Sequence, residues 1–261
     1  MPLITIYSPK GGVGKTTLTA NLCYSFARQG LQAIGIDFDP QNALRLHFGV
    51  HLNHEEGYVP GSEESADWSD FALSYKNKDN LFVLPYGTAT ELQRLEFEMK
   101  LLKDETFLTR GLRAILENPQ LIVIADLPPG PSAAIKAISP LTDLFVMPLL
   151  ADSASLSLLP TVENENFGNE TAEQYFLLNQ VDYKRRISSD VTAFVQDRLK
   201  DKLLGVVHRD ESVVEANALQ KAIVDVNRAS VAAFDIEDLS KKIADILGVG
   251  VAGGSMFIAP M

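Results

Sequence analysis

Short, largely apolar runs punctuate the chain at residues 3–7, 31–36, 81–84, 121–126, 143–149, 175–178 and 203–207. They lack the polar alternation of a half-solvated strand, which predicts strands of a parallel sheet buried on both faces. Between them, apolar positions recur at three- and four-residue spacing. That spacing predicts helices over about 16–28, 90–102, 105–117, onward from 153, 213–219 and 230–247. Gly30 closes the first of these, Asn118-Pro119 stops the third, and Ser212 stands where it would cap the helix at 213. In the last helix Ile236, Leu239, Ile243, Ile246 and Leu247 fall on one face. Strands alternating with helices predict an α/β fold: a doubly wound, mostly parallel sheet of seven or eight strands flanked by helices. One domain over 1–247 is expected, followed by a glycine-rich tail, 248–261, that is either disordered or packed on the body.

The junction of the first strand and first helix reads Ser8-Pro9-Lys10-Gly11-Gly12-Val13-Gly14-Lys15-Thr16-Thr17. Strand, glycine-rich loop and helix in that order are the context of a phosphate-binding loop. Gly11, Gly12 and Gly14 let backbone N–H groups curl around an anion without Cβ clashes, and the helix that follows points its positive end at the same place. In such a loop Lys15 reaches the β- and γ-phosphates of a nucleoside triphosphate, and the Thr16 hydroxyl ligates Mg²⁺. The match to G-x-x-x-x-G-K-[ST] is imperfect. Pro9 replaces the first glycine, and a second lysine, Lys10, precedes the others.

Two acidic sites accompany the loop. Asp37-Phe38-Asp39-Pro40-Gln41-Asn42 follows the second strand, and carboxylates at the carboxyl ends of parallel strands sit where such sheets bind ligands. The fully apolar run at 121–125 ends in Asp126, a carboxylate buried close to the loop, where Mg²⁺ or the Thr16 hydroxyl would satisfy it.

Taken together, K-G-G-x-G-K-T at 10–16, D-x-D-P-Q at 37–41 and D-x-P-P-G at 126–130 resemble the deviant Walker A boxes and switch segments of the ParA/MinD family of dimerising ATPases. The resemblance covers residues 2–247 and implies ATP and Mg²⁺ as cofactors. It implies a homodimer in the ATP state, with Lys10 crossing to the partner's nucleotide, Asp39 positioning the attacking water and Asp37 in the Mg²⁺ shell beside Thr16 and Asp126. The Gly130 N–H would meet the γ-phosphate, and Val13 and Thr17 complete the phosphate cradle. Asn179 would read the adenine edge, with a turn-forming asparagine as the alternative. The loop holding Arg209 and Asp210 would line the base pocket, with His208 where relatives commonly carry proline. A narrower resemblance lies in 42–50, 84–87 and 207–211, to the branch of the family that serves bacterial cellulose-secretion operons. That branch implies accessory subunits of a membrane cellulose synthase complex as partners, and recruitment through them to the inner face of the cell membrane.

Composition narrows the alternatives. A net charge of −11, with only Lys184-Arg185-Arg186 as a basic cluster, argues against the DNA surface of a partition ATPase. A scaffold locked by ATP without hydrolysis stays open. Cys23 is the single cysteine, too few for an internal disulfide or for an iron–sulfur branch. With no membrane-length apolar run and no leader-like start, the expected location is the cytoplasm. The acidic, turn-rich stretch 51–80 holds His51 and His54, read as a solvated loop rather than a metal site, and Trp68 and Phe71, read as satellite packing or a partner contact.

Overall fold

Strands that are apolar throughout must be covered on both sides, and the chain achieves this around one central sheet. The computed structural model describes residues 1–252 and 255–258. In chain order the strands of the sheet are β1 (Leu3–Ile6), β2 (Gln32–Asp37), β3 (Leu73–Ser74), β4 (Leu81–Leu84), β5 (Leu121–Asp126), β6 (Leu144–Leu150), β7 (Glu173–Val181) and β8 (Leu203–His208). They lie side by side as β3-β4-β2-β5-β1-β6-β7-β8. Every neighbouring pair is parallel except β3 with β4, where the two-residue β3 runs antiparallel at the edge. The longer helices are α1 (Lys15–Arg28), α2 (Glu91–Lys103), α3 (Ala133–Ile138), α4 (Ser153–Glu163), α5 (Arg186–Leu199), α6 (Glu211–Ala218) and α7 (Val231–Ile246).

The side-chain alternation of each strand splits the core into two layers. On one face Leu121, Val123 and Ala125 of β5 meet Phe97 and Leu101 of α2, Ile138 of α3, Leu159 of α4 and Val195 of α5. On the other, Ile122 and Ile124 meet Leu22 and Phe26 of α1 and Ile236, Leu239 and Ile243 of α7. β1 lies between β5 and β6 in the middle of the sheet, so the loop that leaves its carboxyl end emerges at the centre of the molecule's upper rim.

Several local expectations needed tertiary contacts to settle them. The helix expected over 105–117 is two short ones, Phe107–Gly111 and Arg113–Leu116, broken where Gly111 lies directly against the Trp68 ring. After the turn at Asp39 a short helix follows, Leu44–His47. β7 extends through Asn179 to Val181, so Asn179 is a strand residue. The tail forms an antiparallel hairpin of β9 (Val249–Ala252) and β10 (Ser255–Ile258), an arrangement the glycine content did not suggest. The rest of the tail call lies outside the described residues.

Trp68 belongs to the main core rather than to a satellite. It is 1% exposed, stacked on Tyr58 at 4.9 Å between ring centroids, and packed on Phe97 and Phe107 at 5.4 and 5.3 Å. Removing so large a buried ring leaves a cavity as well as losing transfer free energy. Trp68→Ala is therefore expected to cost about 3–5 kcal/mol, and Trp68→Phe clearly less, by urea denaturation. An unchanged midpoint for Trp68→Ala would contradict this packing.

Candidate functional site

β1 hands the chain to the loop while still tied to the sheet: Tyr7 N–H donates to the Val146 carbonyl at 3.1 Å. Beyond it, Gly12 and Gly14 take φ of +73° and +90°, in the left-handed region that favours glycine. Gly14 caps α1 without a side-chain hydrogen bond. From Gly11 to Thr17 no backbone N–H has a hydrogen-bond partner among the described residues. A helix N-terminus and a run of open N–H groups thus converge on one point, an arrangement made for an anion.

Lys15, the first residue of α1, is 7% exposed. Burial pushes its ammonium pKa down, and the nearby charges of Asp126 and Asp39 pull it back up. Asp126 ends β5 in register with Ile6 of β1 on one side and Asp37 of β2 on the other. It is 1% exposed, and neither carboxylate oxygen has a hydrogen-bond partner among the described residues. Burial raises its pKa to about 7, against the opposing pull of the Thr16 hydroxyl and Lys15. An unpartnered buried carboxylate beside a threonine hydroxyl is a set of hard oxygen donors, and it fits a Mg²⁺ ion with waters in its shell.

Asp37 is fully buried but differently occupied. One oxygen accepts from the Asp39 N–H and the other from the Leu44 N–H, both at 3.0 Å, so this carboxylate shapes the loop that follows β2. Burial, then the charge of Asp126, raises its pKa well above the usual range. The loop is pinned further where the buried Tyr58 hydroxyl donates to the Asp37 carbonyl at 3.0 Å. Asp39 accepts from the Gln41 N–H at 2.9 Å and stands near Lys15 and Asp126. Gly130 donates its N–H to the Ser8 carbonyl at 3.2 Å. That contact joins the loop after β5 to the phosphate loop, where the sequence expectation aimed the N–H at a phosphate.

Lys10 has a partner that the sequence reading missed. Its Nζ lies 2.7 Å from Asp152 Oδ2 and 3.4 Å from Ser155 Oγ. Asp152 caps α4, accepting from the Ser155 N–H at 2.7 Å. Burial opposes ionisation of Asp152, but Lys10 and the Ser155 groups outweigh it and hold the pKa below the usual value. The Asp-Ser-Ala-Ser run after β6 is a helix-cap signal, though nothing local tells that Lys10 would find it.

Beside Gly14 and Thr17 opens a cavity of about 300 Å³, walled by Asn179 and Gln180 at the end of β7, the residues 207–211 and the outer side of α6. Asn179 is turned toward the phosphate loop: Nδ2 donates to the Val13 carbonyl at 2.7 Å and Oδ1 accepts from the Gln180 N–H at 2.9 Å. A side chain at Gly14 would collide with this amide. Arg209 is exposed and faces Glu211 at 3.5 Å. Asp210, not Ser212, caps α6: its Oδ1 accepts from the Ser212 N–H at 2.8 Å. Its Oδ2 accepts from the Ser230 hydroxyl at 2.7 Å, at the start of α7, so one carboxylate ties two helix starts together. Although burial opposes it, these bonds hold Asp210 at about 2.

A mostly parallel sheet with its phosphate loop at the central strand, and aspartates at the ends of the next two strands on one side of it, defines a P-loop NTPase of the ParA/MinD type. More narrowly, the chain belongs to the cellulose biosynthesis protein BcsQ family, which matches residues 1–243. It is 25% identical over 247 residues to BcsQ of Salmonella typhimurium, covering 92% of this chain and 93% of that one. It is 29% identical to the sporulation initiation inhibitor Soj of Bacillus subtilis, over 93% and 98% of the two chains. Among solved structures it resembles the septum site-determining protein MinD of Pyrococcus horikoshii complexed with Mg-ADP, at a TM-score of 0.75 and 20% identity over 95% and 97% of the chains.

The unpartnered Asp126 has a thermodynamic signature. Its carboxyl pKa is raised on folding, so below the ordinary carboxylate pKa both states hold the proton and nothing is lost. As pH rises from there toward about 7 the unfolded chain releases this proton while the folded state keeps it, and stability falls. Asp126→Asn removes that penalty. Without nucleotide it is expected to melt higher than the parent at pH 8, with the gap narrowing below about pH 7 and closing near the ordinary carboxylate pKa. A gap that does not change with pH would contradict the buried, raised carboxyl.

Proposed function

We propose that this protein binds Mg²⁺·ATP and hydrolyses it slowly, as a dimerising switch that serves a bacterial cellulose synthesis and secretion system. The observation that carries the nucleotide reading is the run of open N–H groups from Gly11 to Thr17, facing a buried lysine and an unpartnered buried carboxylate. Gly11, Gly12, Val13, Gly14 and Thr17 would cradle the phosphates, with Lys15 on the terminal ones. Thr16 and Asp126 would hold Mg²⁺, with Asp37 behind them in its outer shell; bound there, the ion would neutralise phosphate oxygens. Phosphoryl transfer to water is mostly positioning and charge stabilisation, and Asp39 would orient the water.

Lys10 would act in a second subunit. To do so it must leave Asp152, and the two side chains are 25% and 41% exposed. Ion pairs this open to solvent contribute about 0–1 kcal/mol, so exchange for a triphosphate is an easy step. The cellulose role rests on the family match and would be exercised through accessory subunits at the cytoplasmic face of the membrane. No helix among the described residues is long and apolar enough to cross a bilayer.

Two measurements test this reading. Molar mass by light scattering should be monomeric with ADP and dimeric with ATP and Mg²⁺, most completely for Asp39→Ala; one constant mass in every state contradicts the switch. Lys10→Ala should still bind ATP but turn over more slowly by on the order of 10³, the scale of losing a charge supplied in trans. Turnover near the parent rate would remove Lys10 from the chemistry.

A further inference from the structure

The cavity beside Gly14 and Thr17 is lined by one side chain whose hydrogen-bonding polarity is set by a partner outside the cavity lining and whose other edge is left without a partner among the described residues. His208 ends β8 and lines the cavity. Its Nδ1 lies 2.8 Å from Asp235 Oδ2, and the same oxygen accepts the His208 backbone N–H at 2.8 Å. A carboxylate only accepts, so Nδ1 carries the hydrogen. In the neutral ring Nε2 is then a bare acceptor. Asp235 sits on α7 and does not line the cavity. The Nδ1 edge is thus taken up by Asp235, and Nε2 is the ring nitrogen left open. Nε2 has no partner among the described residues.

The other polar side chains of this wall either present both a donor and an acceptor or are already paired within the protein. Gln180 and Asn217 end in amides, which present either group after a half-turn. Asn179 is engaged with the phosphate loop, and the Asp210 carboxylate ties the starts of α6 and α7. Arg209 only donates and Glu211 only accepts, and the two face each other at 3.5 Å.

We propose that His208, fixed as an acceptor by Asp235, makes this cavity select a base with an exocyclic amine over one with a carbonyl at the same edge. Resting on the nucleotide reading above, this assigns adenine over guanine to a residue of this chain. The amine of adenine donates to Nε2, whereas O6 of guanine sets two acceptors against each other and leaves both unsatisfied. Asp235 is the positioning residue and acts through the ring.

The test is the ratio of ATP to GTP dissociation constants, measured on the full chain with Mg²⁺ at pH 8 by competition against a fluorescent ATP analogue. The parent should prefer ATP by about tenfold or more, the scale of one hydrogen bond made or refused. His208→Phe keeps a ring against the base but loses the acceptor, so the ratio should fall to near one, mainly through weaker ATP binding. His208→Gln should keep most of the ATP affinity and gain GTP, because its amide presents either group. Asp235→Ala frees the tautomer and should also lower the ratio, with no further effect when added to His208→Phe. It remains informative if either His208 variant misfolds, with circular dichroism as the check. An unchanged ratio in His208→Phe and Asp235→Ala overturns the proposal, as does an equal loss of both nucleotides, which would make the ring a stacking surface only. If the parent binds neither ATP nor GTP, the nucleotide reading fails and the selection falls with it. If the parent binds both equally, only the role of His208 fails.

Discussion

The open backbone between Gly11 and Thr17 is the constraint that the rest of this structure accommodates. A chain leaving the middle strand of a parallel sheet has no neighbouring strand to take its N–H groups, and the first turn of a helix has no preceding carbonyls. Both deficits fall at one place here. Left dry, so many unpaired donors would be costly. They face the crevice instead, where water or an anion satisfies them, and the local positive potential lets carboxylates lie close by. Asp126 and Asp37 are adjacent in register on β5 and β2, buried, and would repel one another as a pair. Lys15 and the end of α1 make that cluster sustainable, and Asp37 is further bound by two backbone N–H groups. Loop and acids are one electrostatic unit.

That unit is held by a body that gives it little freedom. Both faces of β5 and β1 are packed, and Asn179 and Asp210 each reach from a strand end or helix start to fix a neighbouring segment. The pieces that carry exchangeable contacts are fewer. Lys10 with Asp152 and Gly130 with Ser8 are the links of the phosphate loop that a bound nucleotide would compete for. Neither involves the core, so the site has the means to rearrange without repacking the sheet.

The sequence made the strands, the phosphate loop and Asp126 legible because each is a local pattern. An apolar run ending in an acid, or glycines between a strand and a helix, needs no knowledge of distant residues. What was missed is long-range. Lys10 and Asp152 are 142 residues apart in the chain, and Asn179 reaches Val13 across 166. The cap of α6 was placed at Ser212 because serine before an apolar run is a good local signal. Asp210 takes that position because its second oxygen also reaches Ser230 on another helix, which a local pattern cannot register. The expected helix at 105–117 is interrupted at Leu112, next to the Gly111 on which Trp68, some forty residues earlier in the chain, is pressed. The same gap hid the tyrosine under the loop after β2 and the pairing of His208 with Asp235.

Tyr58 links two features that otherwise look unrelated. Its hydroxyl holds the Asp37 carbonyl at the root of the loop bearing Asp39, and its ring lies stacked on Trp68. Trp68 is the only tryptophan in the chain. The protein therefore carries one built-in fluorophore, shielded from solvent and a single aromatic contact away from the loop that would face a terminal phosphate. Any shift of that loop transmitted through Tyr58 alters the surroundings of one indole alone, so its emission can follow the loop in real time without a label.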